Sequence, residues 1–340
     1  MTLLLVLSAL ANLIGLGLGG LPGWIQDWLD WLSSFAAVFL AIFIEAVPFL
    51  LIGTLSAAIV EVFIEREKIA CWVPRSRFLG ALAGSLIGFV FPAGECGVVP
   101  LTRRLLSKGM PVSMGMATLL AGPVLNPIVI AGTLAAFGPG LIFWGRLGLS
   151  LAIAVVAGLV FSLHHDPASL LRQPGAQPGL DLPSQPGENF SSAPPSAVNR
   201  PRFAEQVRRM ALVAVDEFFE MGSYLVLGAG LAAVMQTIVP PSALLNAGQG
   251  PLRSVLALTG LAGLLSTGSI VDVFTAQAFT ATFTSGSILA FLVFGPMVDI
   301  KRVLMFLRLF KPRTVAYLIL LTFLLTLIFT VFINYFGQGW

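Results

Sequence analysis

The sequence predicts an all-α, polytopic membrane protein built as an inverted-topology repeat with two broken or re-entrant helix pairs. Three observations carry that expectation. The first is composition: of 340 residues, 57% are hydrophobic and 10% charged, with a mean hydropathy of +0.93, whereas a globular domain in water carries about 25% charged residues. The second is repetition. Glu45-Ala-Val-Pro-Phe-Leu-Leu-Ile-Gly53, running on to Glu61, returns as Glu220-Met-Gly-Ser-Tyr-Leu-Val-Leu-Gly228, running on to Gln236. Gly122-Pro123-Val124-Leu125-Asn126 returns as Gly295-Pro296-Met297-Val298-Asp299. Helix breakers and carboxylates at matching places in two apolar halves are the sequence mark of a secondary transporter whose site lies between the halves. The third observation is the placement of the basic residues, taken up after the elements.

In chain order, Leu3 to Leu18 is an apolar run without a basic n-region, and Gly17-Leu18-Gly19-Gly20 is a weak cleavage site, so a short membrane helix is expected rather than a signal peptide. Trp24, Trp28 and Trp31, beside Asp27 and Asp30, read as an interfacial amphipathic stretch, and residues 1–34 form an N-terminal helix and interfacial segment. A helix needs about 20 apolar residues to cross the hydrocarbon. Spans at 35–63, 112–137 and 140–163 make up a first repeat, 35–163. Spans at 207–238, 283–300 and 314–336 make up a second, 207–340. Each repeat also holds an interrupted stretch: 78–106, broken by Pro92-Ala93-Gly94-Glu95-Cys96-Gly97 and Pro100, and 254–282, broken by Ser266-Thr267-Gly268-Ser269 and Asp272. Proline removes a helical donor and glycine lowers helix propensity by about 1 kcal/mol, so both should break. Pro123, Pro127 and Pro296 are further expected breaks.

Between the repeats, 164–206 is rich in Pro-Gly, Pro-Ser and Pro-Pro steps and lacks apolar periodicity. Such a segment cannot bury enough surface to offset its ordering entropy, and a disordered cytoplasmic linker is expected. His164 and His165 at its edge have no Cys or third His nearby and read as a solvated helix end.

The basic residues decide between spanning and re-entrant stretches. If both broken stretches leave on the side they enter, all 19 basic residues except Arg146 and Arg253 fall on one face. If both span, the clusters at 66–77 and 103–108 lie on opposite sides, against the positive-inside rule. Re-entrant pairs with a cytoplasmic basic face follow. Each half then has an odd number of true spans, so the second is inserted upside down relative to the first, in the cytoplasmic membrane of a bacterium.

A carboxylate at mid-bilayer costs about 2.5–3.5 kcal/mol on insertion scales, so such residues face a cavity or a partner and mark a pathway. Glu95 and Asp272 fall in the two broken stretches, where unwound carbonyls and half-helix amides can hold an ion or polar solute. With Cys96, Ser269 and Asn126 they form the expected substrate site. Asn126 lies in Ala121-Gly-Pro-Val-Leu-Asn-Pro127, whose prolines free backbone carbonyls, and serves a kink or a substrate wall. Glu45 and Glu220, the repeat-matched pair, are candidate proton or ion relays, as is Asp299, which two residues before Lys301 also reads as half of a local ion pair. Asp216 and Glu217, near Arg208 and Arg209, are expected to cap a helix at the cytoplasmic surface. Cys71 and Cys96 do not suggest a disulfide framework. There is no Walker lysine loop, His-Glu-x-x-His, Gly-x-Ser-x-Gly or Cys-x-x-Cys, so neither ATP-driven transport by this chain alone nor common hydrolytic chemistry has support. No enzyme activity and no cofactor are expected, and energy comes from a gradient or another subunit.

Glu95-Cys-Gly-Val-Val-Pro-Leu101, Leu119-Leu-Ala-Gly-Pro-Val-Leu-Asn-Pro127, Asp272-Val-Phe274 and above all Leu289-Ala-Phe-Leu-Val-Phe-Gly-Pro-Met-Val-Asp-Ile-Lys301 resemble the predicted-permease family that includes the ArsP organoarsenical efflux permeases. The resemblance runs through both halves, roughly 35–163 and 207–336. It implies an inner-membrane permease, in some members exporting trivalent organoarsenicals through membrane thiols. Where the family often has Cys-Ser-Cys-Gly, this chain has Gly94-Glu95-Cys96-Gly97. Where it often has Cys-Ser-Glu-Ala-Asp-Ala-Phe, this chain has Gly268-Ser269-Ile270-Val271-Asp272-Val273-Phe274. A soft metalloid is held best by two or three thiolates, and Cys96 alone is a poor trap. The fold and the permease role carry over; the thiol chemistry does not.

The reading is therefore a permease, a secondary transporter working in efflux, for a small solute, ion or metalloid. Its expected partners are that substrate and the lipid bilayer, with homo-oligomerisation open and no nucleic acid. A channel with a short polar constriction and a non-transporting scaffold with satisfied buried pairs are the rival readings.

Overall fold

The structure, a computed structural model, describes residues 23–74, 76–90, 94–163, 203–238 and 250–336. The apolar run at 3–18, Pro92, His164, His165 and nearly all of the 164–206 linker lie outside the described residues.

Among the described residues every regular element is a helix. The first half holds α1 (Gly23–Phe63), α2 (Arg66–Trp72), α3 (Arg77–Val90), α4 (Gly94–Ser107), α5 (Val112–Ala121), α6 (Pro127–Phe137) and α7 (Leu141–Ser162). The second holds α8 (Phe203–Ile238), α9 (Pro251–Leu265), α10 (Ser269–Ala278), α11 (Ser285–Met297), α12 (Ile300–Leu309) and α13 (Pro312–Phe336). Four of these, α1, α7, α8 and α13, contain stretches long and apolar enough to cross a membrane: Gln26–Phe63, Leu141–Ser162, Ala204–Ile238 and Pro312–Tyr335. Trp24, Trp28 and Trp31 sit on the first turns of α1, which continues unbroken past Pro48, and Trp31, Phe35, Phe39 and Phe43 stack along one face at i, i+4 spacing.

The shorter helices correct the expected spans. Residues 112–137 and 283–300 are not continuous helices but are split at the repeated Gly-Pro motifs. Asn126 takes an extended conformation (φ −74°, ψ 133°) with Pro127 as the next residue, because proline's Cδ disfavours the helical region for its predecessor. The Asn126 side chain then accepts from the Ile128 amide at 3.0 Å and caps α6. Asp299, its repeat counterpart, is also extended (φ −123°, ψ 166°) and accepts from the Arg302 amide at 2.7 Å, capping α12. Two expected breaks are relocated: Gly97 and Pro100 lie inside α4, and Pro296 lies inside α11, one residue before its end. At 10 residues, α5 is only about 15 Å long, half of a roughly 30 Å hydrocarbon core. A helix of this length is too short to cross the hydrocarbon on its own.

Neighbour relations recur in the two halves. α3 packs on α5 and α7, and α5 on α7; α9 packs on α11 and α13, and α11 on α13; α1 lies against α8 between them. Glycines set the closest approaches. A Cβ on Gly53 of α1 would overlap the backbone of Gly97 in α4. One on Gly228 of α8 would lie 2.5 Å from the Lys301 Cα in α12, and one on Gly158 of α7 2.6 Å from the Ser113 carbonyl oxygen in α5. A single apolar core joins both halves, from Leu50, Val98 and Leu120 to Met221, Leu258, Phe291 and Phe306. Large apolar side chains such as Ile44, Phe219, Leu227, Ile328 and Phe332 are exposed on the outside, as suits a surface solvated by lipid.

Candidate functional site

The helix breaks converge. The beginnings of α4 (Gly94, Glu95, Cys96), α6 (Asn126, after Pro123), α10 (Gly268, Ser269, Ile270) and α12 (Lys301) surround one pocket, closed on the remaining side by Glu45, Ala46 and Phe49 of α1. Glycine is required at two of these starts. Gly94 has φ +62° and Gly268 φ +114°, in the left-handed region that only glycine enters freely. A Cβ on Gly94 would meet the Phe49 ring at 2.5 Å, and one on Gly268 would overlap the Glu45 carboxylate. The pocket volume is about 20 Å³ measured over the centres of water-sized spheres, which is room for one or two water molecules.

Its walls are charged. Glu95, 8% exposed, lies 3.3 Å from the Lys301 ammonium and 3.2 Å from Nη2 of Arg302, and it accepts from the Ser269 hydroxyl. Lys301 also lies 3.4 Å from Asp299 and donates at 2.9 Å to the carbonyl of Ser266, the one non-glycine residue of positive φ among the described residues. Asp272, buried, accepts from the Thr267 hydroxyl at 2.6 Å. Arg146, also buried, donates to Thr133 at 2.7 Å and to the Ser269 carbonyl at 3.4 Å. Carboxylates Glu45, Glu95, Asp272 and Asp299 are thus set among Lys301, Arg302 and Arg146. A buried charge is tolerable only when paired and hydrogen-bonded. The positive ends of the four half-helices add about half a charge each in favour of anionic groups.

The structure brings the expected substrate residues Glu95, Cys96, Asn126 and Ser269 to one pocket, with Glu45 beside them. Asp272 and Asp299 adjoin it through the Thr267 and Lys301 contacts. Glu220 is elsewhere. It accepts from Arg103 at 2.7 Å and from Arg308, next to Glu217, whose side chain is fully buried and pairs with Arg103 at 3.0 Å and Arg104 at 2.5 Å. Glu217 therefore sits inside α8 as a partner of α4 and does not cap a helix at the surface. Nearby, Lys108 donates to the last carbonyls of α1, those of Val60 and Glu61, at 2.9 and 2.6 Å. Sequence reasoning missed Lys301, Arg302 and Arg146 as parts of the site, since it assigned the first two to the cytoplasmic face and the third to the outer one. The available signal was the charged Asp299-Ile-Lys-Arg302 string directly after an apolar run that ends in Gly295-Pro296.

A bundle with an apolar exterior, four helices long and apolar enough to cross a membrane, and a small pocket where several helix starts converge has the build of a membrane permease. The chain belongs to the predicted-permease family ArsP_1, whose family pattern matches residues 31–335. It is similar to the UPF0718 protein YcgR of Bacillus subtilis (strain 168), with 42% identity over 285 residues, covering 83% of this chain and 91% of that one. It is also similar to a putative two-component membrane permease complex subunit of Streptococcus mutans serotype c, with 30% identity over 303 residues, covering 88% and 94% of the two chains. No solved structure matches.

Proposed function

We propose that this permease is a secondary transporter of the bacterial cytoplasmic membrane, exporting a small solute, ion or metalloid by exposing the central pocket to each side in turn. The observation that carries the reading is that α4, α6, α10 and α12 all begin at one small pocket whose lining includes Glu45, Glu95 and Lys301. Half-helix termini at mid-membrane are how transporters bind ions and polar groups away from water. The recurring neighbour relations, and the matched caps Asn126 and Asp299, support two inverted repeats with the basic face cytoplasmic. Glu95, Asp272, Ser269, Asn126 and Cys96 are the proposed substrate residues, with Glu45 and Asp299 the proposed relays. Glu220, set among arginines away from the pocket, is a bracing residue in this reading. The name of the Streptococcus mutans relative supports a second component, and we read this chain as the membrane-spanning member of such a pair.

The test is substrate-dependent flux in proteoliposomes, with and without the second component, over metalloids, divalent metals and small anions. Saturable, gradient-coupled flux is expected, and Glu95→Gln and Asp272→Asn should each cut it at least about tenfold, about 1.4 kcal/mol in transition-state terms, while the protein stays monodisperse. Flux that never saturates would make the chain a channel. A folded wild-type protein that carries no flux, with carboxylate variants that lose the fold, would make it a scaffold.

A further inference from the structure

We propose that the pocket's ligand is a small inorganic anion, taken by Lys301 and Arg302 in place of the Glu95 carboxylate, which leaves the two cations by accepting a proton. This rests on the reading of the pocket as the transport site.

Three independent features point to an anion. The first is donor capacity in excess of what the protein uses. Arg302 is 1% exposed, yet its Nε, Nη1 and Nη2 have no hydrogen-bond partner. Its Nη2 lies within ion-pair range of Glu95 at 3.2 Å without the alignment of a hydrogen bond, whereas a satisfied charge-assisted contact runs about 2.7–2.9 Å. A guanidinium carries five N–H donors, and leaving buried donors unmade is costly. The second is helix polarity. α10, 10 residues long, is preceded by Gly268, which offers no side-chain cap, so Ser269 and Ile270 bring an uncapped helix start to the pocket wall. α6 and α12, by contrast, are capped by Asn126 and Asp299. The third is the Lys301 ammonium, the basic side chain among those lining the pocket, which stands beside the carboxylates of Glu45 and Glu95 and is the charge that an arriving anion would meet.

The carboxylates fit the same scheme. Asp299 is held by the Arg302 amide as a helix cap, and Asp272 by Thr267. Glu95 is held by a serine hydroxyl and by two cations at more than 3 Å, and it is the carboxylate shared by both Lys301 and Arg302. It occupies the seat that an arriving anion would take. Displacing it as a carboxylate would leave a bare charge in the bundle, so its release requires protonation: one proton enters the bundle as one anion pairs with the cations, and both leave together. The other groups around this exchange are Glu45 on α1, Cys96 on α4, Arg146 on α7, Asp272 on α10 and Asp299 on α12. Proton and anion are thereby coupled without a second ion site.

The test uses the full chain in lipid nanodiscs and titrates chloride, nitrate and sulfate, whose own charges do not change between about pH 6 and about pH 8. At least one should bind, more tightly at the lower pH by up to about tenfold per unit, the limit for one linked proton. Glu95→Gln should bind it with no dependence on pH, and Arg302→Gln should weaken it at least tenfold. If Arg302→Gln fails to fold, Glu95→Gln/Arg302→Gln, which removes both members of the pair, should fold and lose the binding that Glu95→Gln alone retains. Absence of binding for all three anions to folded wild-type protein at either pH overturns the proposal, as does pH-dependent binding that survives Glu95→Gln. Glu95-dependent binding of sodium or zinc instead would overturn the anion assignment and leave the transport site standing. Anion binding without flux in proteoliposomes would remove the transport reading and keep the anion site.

Discussion

Gly228→Ala tests how tightly the pocket is tied to the packing around it. The added Cβ would lie 2.5 Å from the Lys301 Cα and 3.2 Å from the Lys301 carbonyl oxygen, whereas carbon atoms rest at about 3.5–4.0 Å. Neither obstacle is a flexible side-chain end, so α8 and α12 must part by about 1 Å. Overpacking of this kind costs about 1–3 kcal/mol, against a gain of about 0.5–1 kcal/mol from replacing a helical glycine. A net loss of up to about 2.5 kcal/mol is expected. The same displacement moves the backbone of Lys301, whose ammonium lies 3.3 Å from Glu95, and so disturbs that pair. Thermal unfolding in detergent and flux in proteoliposomes should therefore fall together. Gly148→Ala and Gly230→Ala are the controls, since a Cβ at either position meets nothing within 4 Å, and both should be neutral or slightly stabilising. A Gly228→Ala protein as stable and as active as Gly230→Ala would refute the claim that this contact sets the position of Lys301.

Other outcomes follow from the same contacts. Glu217→Gln leaves Arg103 and Arg104 without their shared carboxylate; because Glu217 is fully buried but the arginines are about a quarter exposed, the loss should be about 1–3 kcal/mol, read as a lower unfolding temperature, and an unchanged value would show that the pair is dispensable. Cys96→Ser should keep most of the flux, as a site built on carboxylates and cations does not need the thiol; complete loss would mean a thiol-dependent cargo. Single cysteines at Ser107 and Gly250 should be labelled only from the cytoplasm and only from outside, respectively, and labelling of Ser107 from outside would sink the re-entrant, inverted arrangement.

The sequence displayed the membrane class and most of the pocket because both rest on local signals: apolar runs long enough to span, and carboxylates beside glycines and prolines where an intramembrane helix must stop. Glu95, Cys96, Asn126, Ser269 and Glu45 were all legible in this way. The breaks at 122–126 and 298–299 were only half legible. The Gly-Pro motifs were visible, but whether a proline kinks or ends a helix depends on caps such as Asn126 and Asp299, which act only once the chain has turned. Lys301, Arg302 and Glu217 were misplaced for a different reason. A rule that counts lysines and arginines assigns the first two to a membrane face, and a capping reading puts Glu217 there; neither can register that Glu95 and Asp299 lie within 4 Å of Lys301 or that Arg103 and Arg104 meet Glu217 from a distant helix.

The glycine contacts divide the molecule mechanically. Gly53 against Gly97, Gly158 against Ser113 and Gly228 against Lys301 join helices of the same half. Where glycines meet the other half, as Gly145 meets Leu289 and Gly268 meets Glu45, they touch side chains. Long charged arms also cross the seam: Glu95 with Lys301 and Arg302 at the pocket, and, away from it, Arg103 with Glu217 and Glu220 and Arg104 with Glu217. A backbone-to-backbone joint yields nothing over an ångström, while an arginine on its flexible stem follows its partner through several. Beside the broad packing of α1 on α8, the ion pairs of Glu95 are extensible tethers between the two halves, and the pocket lies along them.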